Sequence, residues 1–162
     1  MRSLLSLLFI IITGTAHAQL LSLAELISFT KKDASSINEE LIAKNWKFIS
    51  SSPASDDELE KLTWALSFSE FDSTAIAWLH IRRQKNGPNR VAFQFHDNKD
   101  YMSLIKVVKA LPAKKELSNA INNTFYTTYS SKNYTYLFNV DSDTFTLKVY
   151  EYADFTNWIF GH

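Results

Sequence analysis

Leu62-Thr63-Trp64-Ala65-Leu66-Ser67-Phe68 alternates one for one between large apolar and small or polar side chains. Successive strand residues point to opposite faces of a sheet, so this period of two predicts a strand that buries Leu62, Trp64, Leu66 and Phe68 together. Downstream, residues 75–83 and 91–96 repeat the pattern, with the turn-rich Asn86-Gly87-Pro88-Asn89 between them. Two such runs around a glycine- and proline-containing break predict a hairpin.

Upstream the period lengthens to that of a helix. Ser22 is placed to cap a short helix carrying Leu23, Leu26 and Ile27, and Ser36-Ile37-Asn38-Glu39 fits a capping box that opens a second helix through Ile37 and Leu41. Residues 46–50 then read as a short strand, and Ser55 with Glu58 offers one further helical turn before Lys61. After the hairpin the pattern restarts. Asp100 is placed to cap a helix with Met102, Ile105, Val108 and Leu111 on one stripe, stopped by Pro112. Residues 114–121 read as its helical partner, closed by Asn122-Asn123. Residues 125–129, 134–140 and 144–152 read as strands, and Trp158, Ile159 and Phe160 as a last short one.

Laid over one another, Leu23-Ala-Glu-Leu-Ile27 up to Asn45-Trp-Lys-Phe-Ile49 and Tyr101-Met-Ser-Leu-Ile105 up to Asn123-Thr-Phe-Tyr-Thr127 suggest a duplicated unit. The expected fold is therefore α+β, with two tandem helix-helix-antiparallel meander units of three to four strands each and the helices packed on one sheet face. The first unit would span residues 19–97 and the second residues 98–162.

This organisation, together with Leu26-Ile27 and Lys44-Asn45-Trp46-Lys47-Phe48, resembles a broad group of exported bacterial proteins of unassigned role. At the level of fold it is also similar to the beta-lactamase inhibitory protein family and to the small envelope assembly proteins of the BamE type. The chain lacks the cysteines of the first and the glycine-rich helix opening of the second, so no binding residue of either maps onto it.

The first 18 residues have the parts of a secretory signal peptide: Arg2, an apolar stretch over residues 4–12, and a small-residue end at Ala16-His17-Ala18. The apolar stretch is too short to span a bilayer, which takes about 20 residues. Cleavage there predicts a mature protein beginning at Gln19, exported to the periplasm or the extracellular medium, without a transmembrane anchor. The chain has no cysteine, which excludes disulfides and a lipid-bearing cysteine. About 144 residues would remain, enough for a core that buries roughly 70% of the unfolded surface without covalent staples. Lysine and arginine number 17 and so do the acids, a balance that argues against nucleic acid, which needs a concentrated basic footprint.

Catalytic and metal motifs are missing. The histidines after the leader are His80, His96 and His162, with no His-Glu-x-x-His among them. Three glycines in the whole chain form neither a nucleophile elbow nor a phosphate-cradling loop. Asp56-Asp57-Glu58-Glu60 reads as a solvated helix start. Asp141-Ser142-Asp143 reads as a hairpin turn, since a calcium loop would need a glycine and a distal glutamate. No metal or cofactor is expected.

A binding surface is legible instead. If Ala77, Leu79, Ile81, Val91, Phe93 and Phe95 face the core, then Trp78, His80, Arg82, Gln94 and His96 share the other face of one hairpin. An aromatic platform, a guanidinium and two imidazoles suit a ligand or partner. Tyr126, Tyr129, Tyr134, Tyr136, Tyr150 and Tyr152 offer a second sticky region if they reach solvent. The expected function is that of an exported, soluble, non-catalytic binding protein whose partner is another protein. Its alternatives are an inhibitor of a secreted enzyme and a small hydrolase using His80 or His96.

Overall fold

The computed structural model describes residues 20–55, 58–84 and 87–160. The leader, Asp56, Asp57, Asn86 and His162 lie outside the described residues. Two short helices come first, α1 (Leu23–Phe29) and α2 (Ala34–Ile42), followed by strands β1 (Trp46–Ser52), β2 (Glu60–Leu66), β3 (Ala77–Arg83) and β4 (Arg90–Phe95). Helix α3 (Asn98–Ala110) leads to β5 (Lys114–Ile121), β6 (Thr124–Ser130), β7 (Tyr134–Asp141) and β8 (Thr144–Glu151), and helix α4 (Tyr152–Phe160) ends the chain.

All eight strands form one antiparallel sheet in the order β1-β2-β3-β4-β8-β7-β6-β5. This overturns the expectation of two tandem helix-pair units. The central seam pairs β4 with β8, Val91 opposite Val149 and Phe93 opposite Leu147, so the two meanders share a sheet. Only one helix precedes the second meander. The segment read as its partner is β5, paired to β6 from Lys114↔Ser130 to Ile121↔Thr124. Lys-Lys-Glu-Leu favours a helix locally, but Asn122 and Asn123 adopt φ of 49° and 67°. Two successive left-handed residues close a tight hairpin whose twist suits antiparallel strands, and pairing overrides propensity. The tail expected as a strand is helical in α4.

The helix caps follow the chemistry of free backbone donors, with shifts in position. Ser22 accepts from the Glu25 amide and Glu25 from the Ser22 amide, a complete capping box. Helix α2 is capped by Asp33, which accepts from the amide of Ser36, rather than by Ser36. Asp97, not Asp100, caps α3, and the buried stripe of α3 runs through Leu104 and Val108 with Tyr101 and Ile105 packed beside it. Met102, expected on that stripe, is 56% exposed. Ser55 does accept from the Glu58 amide, yet Glu58 is in a bend and no helical turn follows it.

Leu26, Phe29, Ile37 and Leu41 from α1 and α2 and Val108 from α3 join Trp64, Leu79, Ile81, Phe93, Phe95, Tyr136, Phe138, Leu147 and Val149 in one core on one side of the sheet. Tyr101 stacks on Phe145 at 4.7 Å and meets Phe138 edge-on, locking α3 over β7 and β8. A polar staple ties the end of the β3–β4 hairpin to the α1–α2 turn. Buried Asn89 donates its amide side chain to the carbonyls of Phe29 (2.8 Å) and Lys32 (2.7 Å), and its backbone N–H to that of Thr30.

The other face follows from register. Thr63, His80, Ala92, Lys148, Leu137, Thr128 and Leu117 form one row across seven strands, and Lys61, Arg82 and Arg90 begin the next. Helices α1, α2 and α3 leave this face open. Helix α4 does not: it turns onto one end of it, which corrects the expectation of helices on a single face. Asp154 takes two hydrogen bonds from the Arg90 guanidinium, at 2.8 and 3.0 Å, and one from Gln84, while Phe155 rests against Tyr150.

Candidate functional site

The open face is richest where β2, β3 and β4 meet. Trp78, His80 and Arg82 alternate along β3 with the buried Ala77, Leu79 and Ile81, as the period of two requires. Gln94 stands directly opposite Trp78, and Ala92 opposite His80. Four of the five residues singled out in the sequence, Trp78, His80, Arg82 and Gln94, therefore share the open face of one hairpin. His96 lies one residue past β4 and is exposed. Its Nδ1 donates to the backbone carbonyl of Asp143 at 3.0 Å, and it borders a dent with Leu20, Ile76, Phe95, Asp97 and Asp100 at the strand ends.

An aromatic shelf crosses this region. The Trp78 and His80 rings lie 6.4 Å apart and nearly parallel, at 8°, and Phe68 meets Trp78 edge-on at 5.7 Å. Phe68 belongs to the alternating stretch that places it with the core, and it is on the open side for a local reason. Ser67 takes a left-handed conformation, φ 53°. One residue turned this way breaks the pleat and swaps the facing of the next side chain. Lys47 lies over the Phe68 ring at 5.6 Å and pairs with Glu70.

Beside the shelf is a group of cations. Lys61 and Arg82 pair across β2 and β3, and Lys148 stands across Ala92 from His80. Among the described residues none of these three has an ion-pair partner, whereas Arg83 has Glu60, Arg90 has Asp154 and Lys31 has Glu151. Burial, with the positive charges of Lys61 and Arg82 behind it, lowers the pKa of His80 to about 4. The ring is therefore neutral at physiological pH, and its Nδ1 shares a 3.1 Å hydrogen bond with the buried Thr63 hydroxyl. Burial and Arg82 likewise pull the Lys148 ammonium below the ordinary lysine range. Lys61, Lys148 and Thr63 escaped the sequence reading, which puts Phe68 on the core face instead. Counting by twos from Leu62 and Leu147 would have put both lysines on this face, but nothing in the sequence sets β8 beside β4.

The six tyrosines do not form one sticky surface. Tyr129 and Tyr136 are buried, Tyr134 packs against the core, Tyr126 and Tyr150 are half-buried on the open side, and Tyr152 is 43% exposed. Asp141-Ser142-Asp143 is the β7–β8 turn, with Ser142 at φ 45°. No helix among the described residues is long and apolar enough to cross a membrane.

The chain matches no protein-family model, and no curated protein or solved structure is significantly similar to it.

Proposed function

We propose that this chain is an exported, non-catalytic binding protein that engages another protein through the open face of its sheet. The observation that carries the reading is the shelf of Phe68, Trp78 and His80, held in fixed relative orientation on a face that α1, α2 and α3 leave bare. Rigid aromatic side chains give contact area at little entropic cost. Seven strand spacings across and about seven residues along give the face roughly 34 Å by 20 Å, close to the ~800 Å² that one partner contributes to an ordinary protein interface. The surroundings of His80 favour binding over acid–base chemistry, because its neighbours are a hydroxyl, an indole and two cations. Export rests on the leader-like residues 1–18.

The test is affinity capture with tagged residues 19–162 from the envelope fraction and the culture fluid of the source. A protein retained by the wild type and by Met102→Ala, and lost with Trp78→Ala, is the expected result. Capture indifferent to Trp78→Ala, or turnover of a small substrate by the isolated chain, would overturn the proposal.

One observation favours the inhibitor alternative in particular. Phe71 is 100% exposed at the tip of a loop braced by Asp72, which accepts from the amide and hydroxyl of Thr74. A braced, protruding aromatic can enter a cleft. In that case the captured protein is an enzyme whose turnover falls on binding, and Phe71→Ala restores it.

A further inference from the structure

We infer that Arg82 and Lys148, on either side of the floor made by Ala92 and with Lys61 behind Arg82, seat a side-chain carboxylate of the partner, with an adjacent aromatic residue of the same segment on the Phe68–Trp78 shelf. This rests on the binding function proposed above and names the chemistry of the partner at the same site.

The molecule already carries a contact of this kind. At the neighbouring end of the same face, α4 lays Asp154 into Arg90 through two guanidinium hydrogen bonds and sets the next residue, Phe155, against Tyr150 at 5.5 Å. An acidic residue followed by an aromatic one thus fills the end of the basic row. Arg82 stands directly opposite Arg90 across β3 and β4, and Lys61 opposite Arg82, so the row continues beyond α4 without an acid to meet it. Ala92 has the smallest side chain in the row from Thr63 to Leu137, and because β4 lies between β3 and β8, His80 and Lys148 stand roughly 10 Å apart in backbone position. A carboxylate fits over that methyl.

The cations press on one another in the free protein. Lys148 is half-buried and His80 is kept neutral beside Lys61 and Arg82. An incoming carboxylate relieves this repulsion, and charge-assisted hydrogen bonds to lysine and arginine are roughly twice as strong as neutral ones. A protein segment fits better than a nucleic acid, because the chain has as many acids as bases and the basic group is local. It fits better than a free phosphate, because a small oxyanion leaves the aromatic shelf unused.

The experiment uses residues 19–162 and three probes: the peptide Glu-Asp-Phe-Asp-Phe-Glu, its Gln/Asn counterpart, and sodium sulfate. Calorimetry gives affinity, and amide and imidazole NMR shifts give location. The acidic peptide should bind at least tenfold more tightly than its amide counterpart, with shifts centred on Trp78, His80 and Lys148. Arg82→Gln with Lys148→Met should weaken it at least tenfold, and the exposed Arg82→Gln alone at least threefold. Lys99→Gln with Lys109→Gln removes the same charge from α3 and should leave binding unchanged. Equal loss in that control, no preference for the acidic peptide, or sulfate binding at these residues while the peptide does not, overturns the inference. In the capture assay, a partner lost with Trp78→Ala but kept with Arg82→Gln/Lys148→Met sinks the carboxylate seat and leaves the broader binding reading standing. A partner kept by both variants sinks both.

Discussion

At the scale of single residues, His80 and Asn89 show opposite ways of burying a polar group. His80 is kept from charging, and the cost appears when protons are offered. Its folded pKa, about 4, lies below the unfolded value near 6.5. Between those limits the unfolded chain binds a proton that the native chain refuses, so stability falls as pH drops through this window and is fully present above it. After allowance for the partial exposure of the ring, the loss should be about 1–3 kcal/mol. Urea midpoints measured from pH 7 to pH 4 should decline for the wild type and flatten for His80→Gln, with the imidazole resonance of His80 titrating near pH 4. Asn89 is fully satisfied, because it serves two carbonyls of the α1–α2 turn while its own N–H serves a third. Asn89→Ala removes both side-chain bonds and strands buried acceptors, for an expected loss of about 2 kcal/mol in denaturant unfolding. The sequence shows Asn89 only as part of a turn. Its role depends on a helix corner some 60 residues away, which no local signal encodes.

Among the elements, the strands with one buried face were the most legible, and the exposed edge strand and the last helix the least. Residues 62–66 and the hairpin from Ala77 to Phe95 announce themselves because a half-buried sheet imprints its period directly on side-chain polarity. That same rule puts Trp78, His80, Arg82, Gln94 and His96 on one face, and the first four stand there while His96 lies just past the end of β4. It failed at Phe68, where the left-handed Ser67 intervenes. It also failed at β5, an edge strand whose residues are all exposed and which therefore carries no burial pattern to read. The adjacent Asn122-Asn123, a pair tolerant of positive φ, was the available clue. Helix α4 could not be placed from its own composition, since its position is set by Asp154 meeting Arg90. The Asp154 side chain of that pair is only 8% exposed. Asp154→Asn should free the helix end selectively: amide exchange at residues 152–156 should speed up by about tenfold or more, corresponding to roughly 1.5–3 kcal/mol for charge-assisted bonds, while protection in α1 stays unchanged.

For the whole molecule, the decisive fact is that one core underlies both meanders. Phe93 and Phe95 of the first pack with Leu147, Val149 and Phe138 of the second, so the halves have no separate interiors to lose. Heat or urea should therefore give a single transition, with fluorescence from Trp46, Trp64 and Trp78 in the first meander and far-ultraviolet dichroism tracing the same midpoint. Two midpoints would mean the seam is weaker than its buried residues imply. The apparent duplication in the sequence misread the second half, where residues 114–121 form β5 rather than a helix, and was silent on whether the edges of the two halves meet.

That meeting has a consequence for how the protein comes into being. The pairs from Val91↔Val149 to Phe95↔Phe145 join positions fifty to sixty residues apart, so β4 waits for its neighbour until nearly all of the chain has been delivered. Throughout that interval it offers an unpaired backbone edge flanked by Val91, Phe93 and Phe95, the sort of surface that recruits other chains. A holding chaperone would cover that edge and slow delivery of the chain would prolong its exposure, and the yield of correctly folded molecules should depend on this interval more than on the strength of any single contact.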